Sequence, residues 1–314
     1  MPQGTNRGIS EIADGISGRD LAWSGALELF ETIYMASRNL APRTRTEYRA
    51  DVTQMAVFLR SRGVRRVRET HLAHLQAFLA DLDARGLTGV TRRRKTASLK
   101  AFFKCLYALR LLAQDPAQPL VPPEREYAEP RFLTAQEYRA LLRACAHETR
   151  DAALIELILQ TGIRLSEAAR LTVHAVELPL RINRDAANTG SLSIQGKGRK
   201  RRTLPLNYKA CRALKAWLAI RPDIPDPALF VTKFRAPMGP RAIQRVVKKY
   251  LDEAGIRNAS VHSLRHSFAT HHVAQGTSLR TIQEALGHAD LKTTSIYVST
   301  AKEAMKRELQ DHAL

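Results

Sequence analysis

Apolar residues recur at helical spacing along the first third of the chain. Trp23, Leu27, Phe30 and Ile33 or Tyr34 form one set, and Tyr48, Val52, Met55 and Leu59, after Pro42, form a second. A third set, Leu72, Leu75, Leu79 and Leu82, begins after a possible cap at Thr70 and stops before Gly86. A fourth runs through Leu99, Phe103, Leu106 and Leu109. Each set predicts a helix with one buried stripe, and four such helices predict a bundle over 21–115. Residues 1–20 hold several glycines and no sustained apolar period, so a flexible tail is expected. Over 116–130, Pro116, Pro119, Pro122 and Pro123 interrupt helical pattern and favour extended backbone, which reads as a linker.

Beyond it, Thr134-Ala135-Gln136-Glu137 has capping-box spacing and leads a helix through Leu141 and Leu142. Leu154 to Leu159 reads as a buried helix, and Leu192 to Gln195 and Arg202 to Leu206 flank Gly196-Lys197-Gly198 as a hairpin. Further helices are expected over 208–220, 241–254, 262–275 and 279–286. The predicted fold class is mainly α with a small β-sheet: an N-terminal helical bundle followed by an α+β domain over 131–314. A length of 314 residues with 44% hydrophobic and 25% charged residues fits two folded domains and excludes wholesale disorder.

A net charge of +20 points to a polyanionic partner, most commonly nucleic acid. The fourth helix carries part of that charge in Arg92, Arg93, Arg94, Lys95, Lys100 and Lys104. Flanking cations on a helix suit phosphate anchoring with some base readout, and a solvated basic face is the plainer alternative. Cys105, Cys145 and Cys211 have no metal-ligand spacing and read as reduced core residues. No apolar run has the length of a membrane span and no signal-peptide pattern opens the chain, so a cytoplasmic location is expected.

Four clusters carry possible chemistry. In Thr161-Gly162-Ile163-Arg164-Leu165-Ser166-Glu167 a helix should stop at Gly162 and another restart with Ser166 as cap, holding Arg164 in the break. Lys197 stands at the hairpin turn, in a motif that lacks the further glycine and Ser/Thr of a nucleotide-binding loop. His262 and His266 have the spacing of a zinc helix, but Ser263 occupies the place of its catalytic glutamate. The alternative has His262 and Arg265 facing one phosphate with His266 packing behind. Leu286-Gly287-His288 precedes Thr293-Thr294-Ser295-Ile296-Tyr297.

Taken singly, each of these is more often structural; as a set they have a chemical logic. Attack on a phosphodiester builds a phosphorane with about two negative charges, which fixed cations such as Arg164 and Arg265 stabilise over the ground state. Tyrosine, with a reference pKa of about 10, needs a base or a positive field, and His262 is the candidate base for Tyr297. The leaving alkoxide needs a proton, which Lys197 can give, and His288 can donate to a non-bridging oxygen. No carboxylate cluster with metal-ligand spacing appears, so no metal or cofactor is called for.

These motifs, in this order, resemble the tyrosine recombinase (phage integrase) family, most closely its Xer-like branch. The resemblance is dense from about residue 131 to 300 and rests on helix pattern alone over the N-terminal bundle, which is similar to the family's SAM-like core-binding domain. It implies a site-specific DNA recombinase that clamps duplex DNA. Four protomers, in a homo- or hetero-tetramer, exchange strands through a 3′-phosphotyrosyl intermediate and a Holliday junction. The implied catalytic set is Arg164, Lys197, His262, Arg265, His288 and Tyr297, with Glu167 as supporting acid. The stretch from Leu178 to Gly190 is longer than the family's usual link. Ala301, Ala304, Met305 and Leu309 form an apolar stripe that, by analogy, docks on an adjacent protomer. A topoisomerase-like nicking-closing enzyme and a catalytically silent DNA-binding accessory protein are the competing readings.

Overall fold

The structure, a computed structural model, describes residues 21–124, 130–185, 189–196 and 201–287. The chain divides into two units, Met1–Ala128 and Glu129–Leu314. The first contains α1 (Trp23–Leu29), α2 (Pro42–Ser61), α3 (Leu72–Ala84) and α4 (Gly89–Ala108). α1 runs on into a π-helical turn, Phe30–Met35. That wider turn rotates the apolar face, so Trp23, Ala26, Phe30 and Met35 are buried while Leu27, Ile33 and Tyr34 are only half-buried. In α3 the cap is His71 rather than Thr70: the His71 N–H donates to Nδ1 of His74 at 3.2 Å. Phe30, Phe102, Phe103 and Trp23 make an aromatic centre, with Phe30 edge-on to Phe102 at 5.4 Å.

The proline-rich stretch leaves the first unit later than its composition suggests. Ala117 and Leu120 are buried in the N-terminal core, and the carbonyls around them are bonded from α4. Arg93 donates to Pro123 at 2.7 Å, and Lys100 donates to Gln118 at 2.9 Å and to Leu120 at 2.8 Å. A segment rich in proline forms few ladder bonds, so its carbonyls need such partners when packed down.

The second unit is built around α6 (Thr149–Thr161), buried on nearly every side through Ala153, Leu154, Ile155, Leu157 and Ile158. α5 (Ala135–Cys145), α8 (Tyr208–Ile220) and α10 (Val261–Ala274) pack on it. The expected capping box opens α5: Thr134 N–H donates to Glu137 at 2.9 Å and Glu137 N–H to the Thr134 hydroxyl at 3.2 Å. After the short α7 (Leu165–Ala168) come β1 (Val176–Glu177), β2 (Gly190–Gln195) and β3 (Arg201–Leu206), an antiparallel sheet in that order. Leu192 pairs with Leu204 and Gln195 with Arg201. α9 (Pro240–Glu253) and α11 (Leu279–Leu286) complete the unit. The three cysteines are free and buried, and burial pushes the Cys105 and Cys145 thiols up to about 11.

Candidate active site

The break after α6 is set by Gly162, whose φ of +61° lies in the left-handed region. A Cβ there would stand 2.6 Å from a Phe268 ring carbon and 2.8 Å from a Leu286 methyl, so glycine also permits α10 and α11 to close on the turn. The chain re-enters helix two residues earlier than its sequence suggests. Arg164, not Ser166, is the cap of α7, and its N–H donates to Glu167 at 2.8 Å. The Arg164 guanidinium then bonds Glu167 at 3.0 Å and the Gly287 carbonyl at 2.8 Å.

Glu167 is 5% exposed and is shared. Besides Arg164 it receives both terminal nitrogens of Arg202, each at 2.9 Å, a bidentate pair. Burial alone would raise its pKa, but the Arg202 and Arg164 hydrogen bonds and their charges outweigh this and hold the carboxyl below its usual range.

The end of α11 gathers the other contacts. A helix leaves its last carbonyls without intrahelical partners. Here Arg202 Nε donates to Ala285 at 3.0 Å, Arg265 to Leu286 at 2.8 Å and Arg164 to Gly287 at 2.8 Å. Three guanidiniums from three elements thus cap one helix end, where positive charge is also favoured by the helix dipole. Arg265 reaches across to the Gly162 carbonyl as well, tying the two glycine turns together. Arg265 is 5% exposed and forms the floor, whereas the Arg164 side chain is 36% exposed and faces outward.

His262 is exposed at the start of α10, one turn before Arg265. His266 is half-buried, and burial, followed by the charges of His262 and Arg265, drives its pKa down to about 4. It is therefore neutral at physiological pH, as a packing histidine behind the cations should be. Lys197, His288 and Tyr297, and the stripe through Ala301, Ala304, Met305 and Leu309, lie outside the described residues. The structure brings together Arg164, Glu167 and Arg265, with His262 on the same helix as Arg265.

The basic residues of α4 mostly have internal work. Lys95 is 7% exposed and donates to Asp51 at 2.8 Å and Gln54 at 2.7 Å, which corrects its expected place on a DNA-facing surface. Arg94 pairs with Asp51 and Glu47, and Arg92 with Asp83. Arg93 and Lys100 hold the following segment, as described above, while Lys104 is exposed. Such internal pairing is invisible in sequence because the acidic partners come from other helices.

Two features escaped the sequence reading. Arg202 was legible only as a strand residue, yet its alternation with buried Leu204 and Leu206 places it on the inward face of β3, an unusual position for arginine. The other is an open groove of about 730 Å³ beside the start of α10, lined by Arg241, Gln244, Arg245, Lys248, Ser260 and Val261. Arg241, Arg245 and Lys248 recur at helical spacing on the exposed face of α9.

Residues 131–304 match the phage integrase family, and residues 27–109 match the phage integrase N-terminal SAM-like domain. A tyrosine recombinase XerC from Pseudomonas syringae pv. tomato (strain ATCC BAA-871 / DC3000) is 33% identical over 268 residues, 83% of this chain and 87% of that protein. A tyrosine recombinase XerD from Rhizobium meliloti (strain 1021) is 33% identical over 302 residues, 91% of this chain and 94% of the relative. Two solved structures share the fold. XerH site-specific recombinase in a post-cleavage complex with palindromic difH substrate gives a TM-score of 0.72 at 21% identity, covering 97% of this chain and 88% of the other. A lambda integrase tetramer bound to a Holliday junction gives 0.72 at 16% identity, covering 95% and 88%.

Proposed function

Since this chain belongs to the phage integrase family and is a tyrosine recombinase, we propose that Tyr297 is the nucleophile with which it cuts and rejoins two double-stranded DNA sites. The observation that carries the reading is the convergence of Arg164 and Arg265 on the end of α11, directly before His288 in the chain. Two fixed guanidiniums of unequal depth suit a phosphate that is singly charged at rest and gains charge in the transition state.

In this reaction the Tyr297 hydroxyl oxygen attacks the scissile phosphorus while His262 accepts its proton. The bond from phosphorus to the 5′ oxygen breaks, and Lys197 gives that oxygen a proton. Arg164 and Arg265 stabilise the phosphorane and His288 donates to a non-bridging oxygen. The product is a 3′-phosphotyrosyl bond and a free 5′-hydroxyl, which attacks the phosphotyrosine of the other site with the reverse proton movements. One phosphodiester-like bond is made for each one broken, so no external energy source is needed. Four protomers acting on two sites pass through a Holliday junction, as a homo- or hetero-tetramer in the cytoplasm. The apolar stripe from Ala301 to Leu309 docks on a neighbouring protomer and couples Tyr297 placement to assembly. The exposed cations of α9, together with Lys104, contact DNA phosphates.

A nicked duplex carrying the inverted half-sites that the protein protects from nuclease should yield a protein–DNA adduct stable to denaturant. Tyr297→Phe should abolish it. Persistence of the adduct in that variant would remove Tyr297 as nucleophile, and relaxation of plasmids lacking any such site would favour a nicking-closing enzyme instead.

A further inference from the structure

Arg202 lies on the inward face of β3, its side chain 16% exposed, and each of its three nitrogens is engaged. Two of them clasp both oxygens of Glu167 and the third holds the Ala285 carbonyl. A Cβ on Gly287 would stand 3.0 Å from its guanidinium, so the end of α11 is built closely around it. Nothing about this arrangement suits a lysine, whose ammonium is a point charge without the planar fork.

Charge balance gives the contact a purpose. Glu167 carries one negative charge and touches two guanidiniums. Without Arg202, Glu167 and Arg164 would form a neutral pair and the outward-facing Arg164 would present little net charge to a phosphate. With Arg202 present, the trio keeps a net positive charge, and the exposed member is Arg164.

We propose that Arg202 is a positioning residue for phosphate recognition: it neutralises and orients Glu167 so that Arg164 keeps its charge for the scissile phosphate, and it ties β3 to the end of α11. This rests on the recombinase reading of the site. Arg202 follows Lys197 in the same hairpin, so one side chain links the hairpin, the Arg164 turn and the segment leading to His288.

The test uses the full chain and nicked duplexes carrying the protected half-sites, with either an ordinary phosphate or a charge-neutral methylphosphonate at the scissile position. Single-turnover adduct formation is measured for wild type, Arg202→Lys and Arg202→Gln at saturating protein, alongside DNA affinity and circular dichroism. On phosphate, Arg202→Lys should slow adduct formation by about 10- to 100-fold, the loss typical of a misplaced catalytic group. Its affinity should stay within about twofold, because phosphate contacts elsewhere carry binding. On methylphosphonate the deficit should shrink by about tenfold or more, since less charge must be stabilised.

An equal deficit on both substrates, or no deficit on phosphate, would overturn the proposal, because a merely structural role does not distinguish the two. If Arg202→Gln fails to fold, the Arg202→Lys effect is measured again in a Glu167→Gln background. There it should largely vanish, and an undiminished effect would show that Arg202 does not act through Glu167. A wild type that forms no adduct on phosphate would instead defeat the recombinase reading, whatever the variants do.

Discussion

Asp51 is 1% exposed and accepts hydrogen bonds from Lys95 at 2.8 Å, Ser98 at 2.7 Å and Arg94. A buried carboxylate survives when its lone pairs are satisfied by donors of opposite charge, and removing it strands those donors. Asp51→Ala should therefore cost about 3–5 kcal/mol of stability, read by urea denaturation. Lys95→Ala should likewise lower stability while leaving DNA affinity nearly unchanged, the reverse of what a surface phosphate contact would do. His266 gives a pH signature. Its pKa falls to about 4 in the fold, against an unfolded value of about 6.5, so below the latter the unfolded chain binds the extra proton. Its neutral form stabilises the fold above about pH 6.5, and that contribution, on the order of 1–2 kcal/mol after solvent screening, is lost as pH falls toward 4. Thermal melts over this range should show a smaller decline in His266→Asn than in wild type, and identical declines would refute the assignment.

At the scale of elements, the two glycine turns set the site. Gly162 and Gly287 both have left-handed φ, +61° and +64°, and each faces a packed side chain. Gly162→Ala combines left-handed strain with collision against Phe268 and Leu286, for a cost of about 2–4 kcal/mol. Adduct formation should fall further than folding alone explains, because Arg265 bonds the Gly162 carbonyl. Measuring the folded fraction alongside single-turnover cleavage separates the two losses. This turn was readable in sequence: the Gly162 stop and Arg164 held in the break follow from local helix-ending rules, whereas the supporting role of Glu167 came only from the family resemblance. The cap itself was misplaced at Ser166, because arginine is not a favoured cap residue, although the Glu167 carboxylate three residues on turns back to the Arg164 N–H. The same division recurs elsewhere. Periodicity located the helices of the bundle, but the π-turn at Phe30–Met35 moved the buried face. The inward Arg202 and the Lys95–Asp51 pair depend on partners distant in sequence, 35 and 44 residues away, beyond the reach of any period.

For the whole molecule, a net charge of +20 overstates what is available to DNA. Lys95 is buried against Asp51, Arg202 is half-buried and paired with Glu167, and Arg265 is buried against two backbone carbonyls. Arg241, Arg245 and Lys104 are exposed. Each phosphate neutralised releases condensed counterions, so the logarithm of affinity should fall against the logarithm of salt with a slope near −0.9 per contact. Affinity for the protected site, measured by fluorescence anisotropy from about 50 to 200 mM salt, should drop by roughly 10³- to 10⁵-fold if six to ten phosphates are held. Arg241→Ala and Arg245→Ala should each flatten the slope by about one and weaken site and non-site DNA alike. Lys95→Ala should leave the slope unchanged. Slopes unaltered in both α9 variants would move the phosphate-binding surface away from this helix, whereas a flattened slope in Lys95→Ala would mean that its buried pair opens on DNA. The salt slope can thus distinguish cations that meet DNA from cations that hold the fold, a distinction that total charge cannot make.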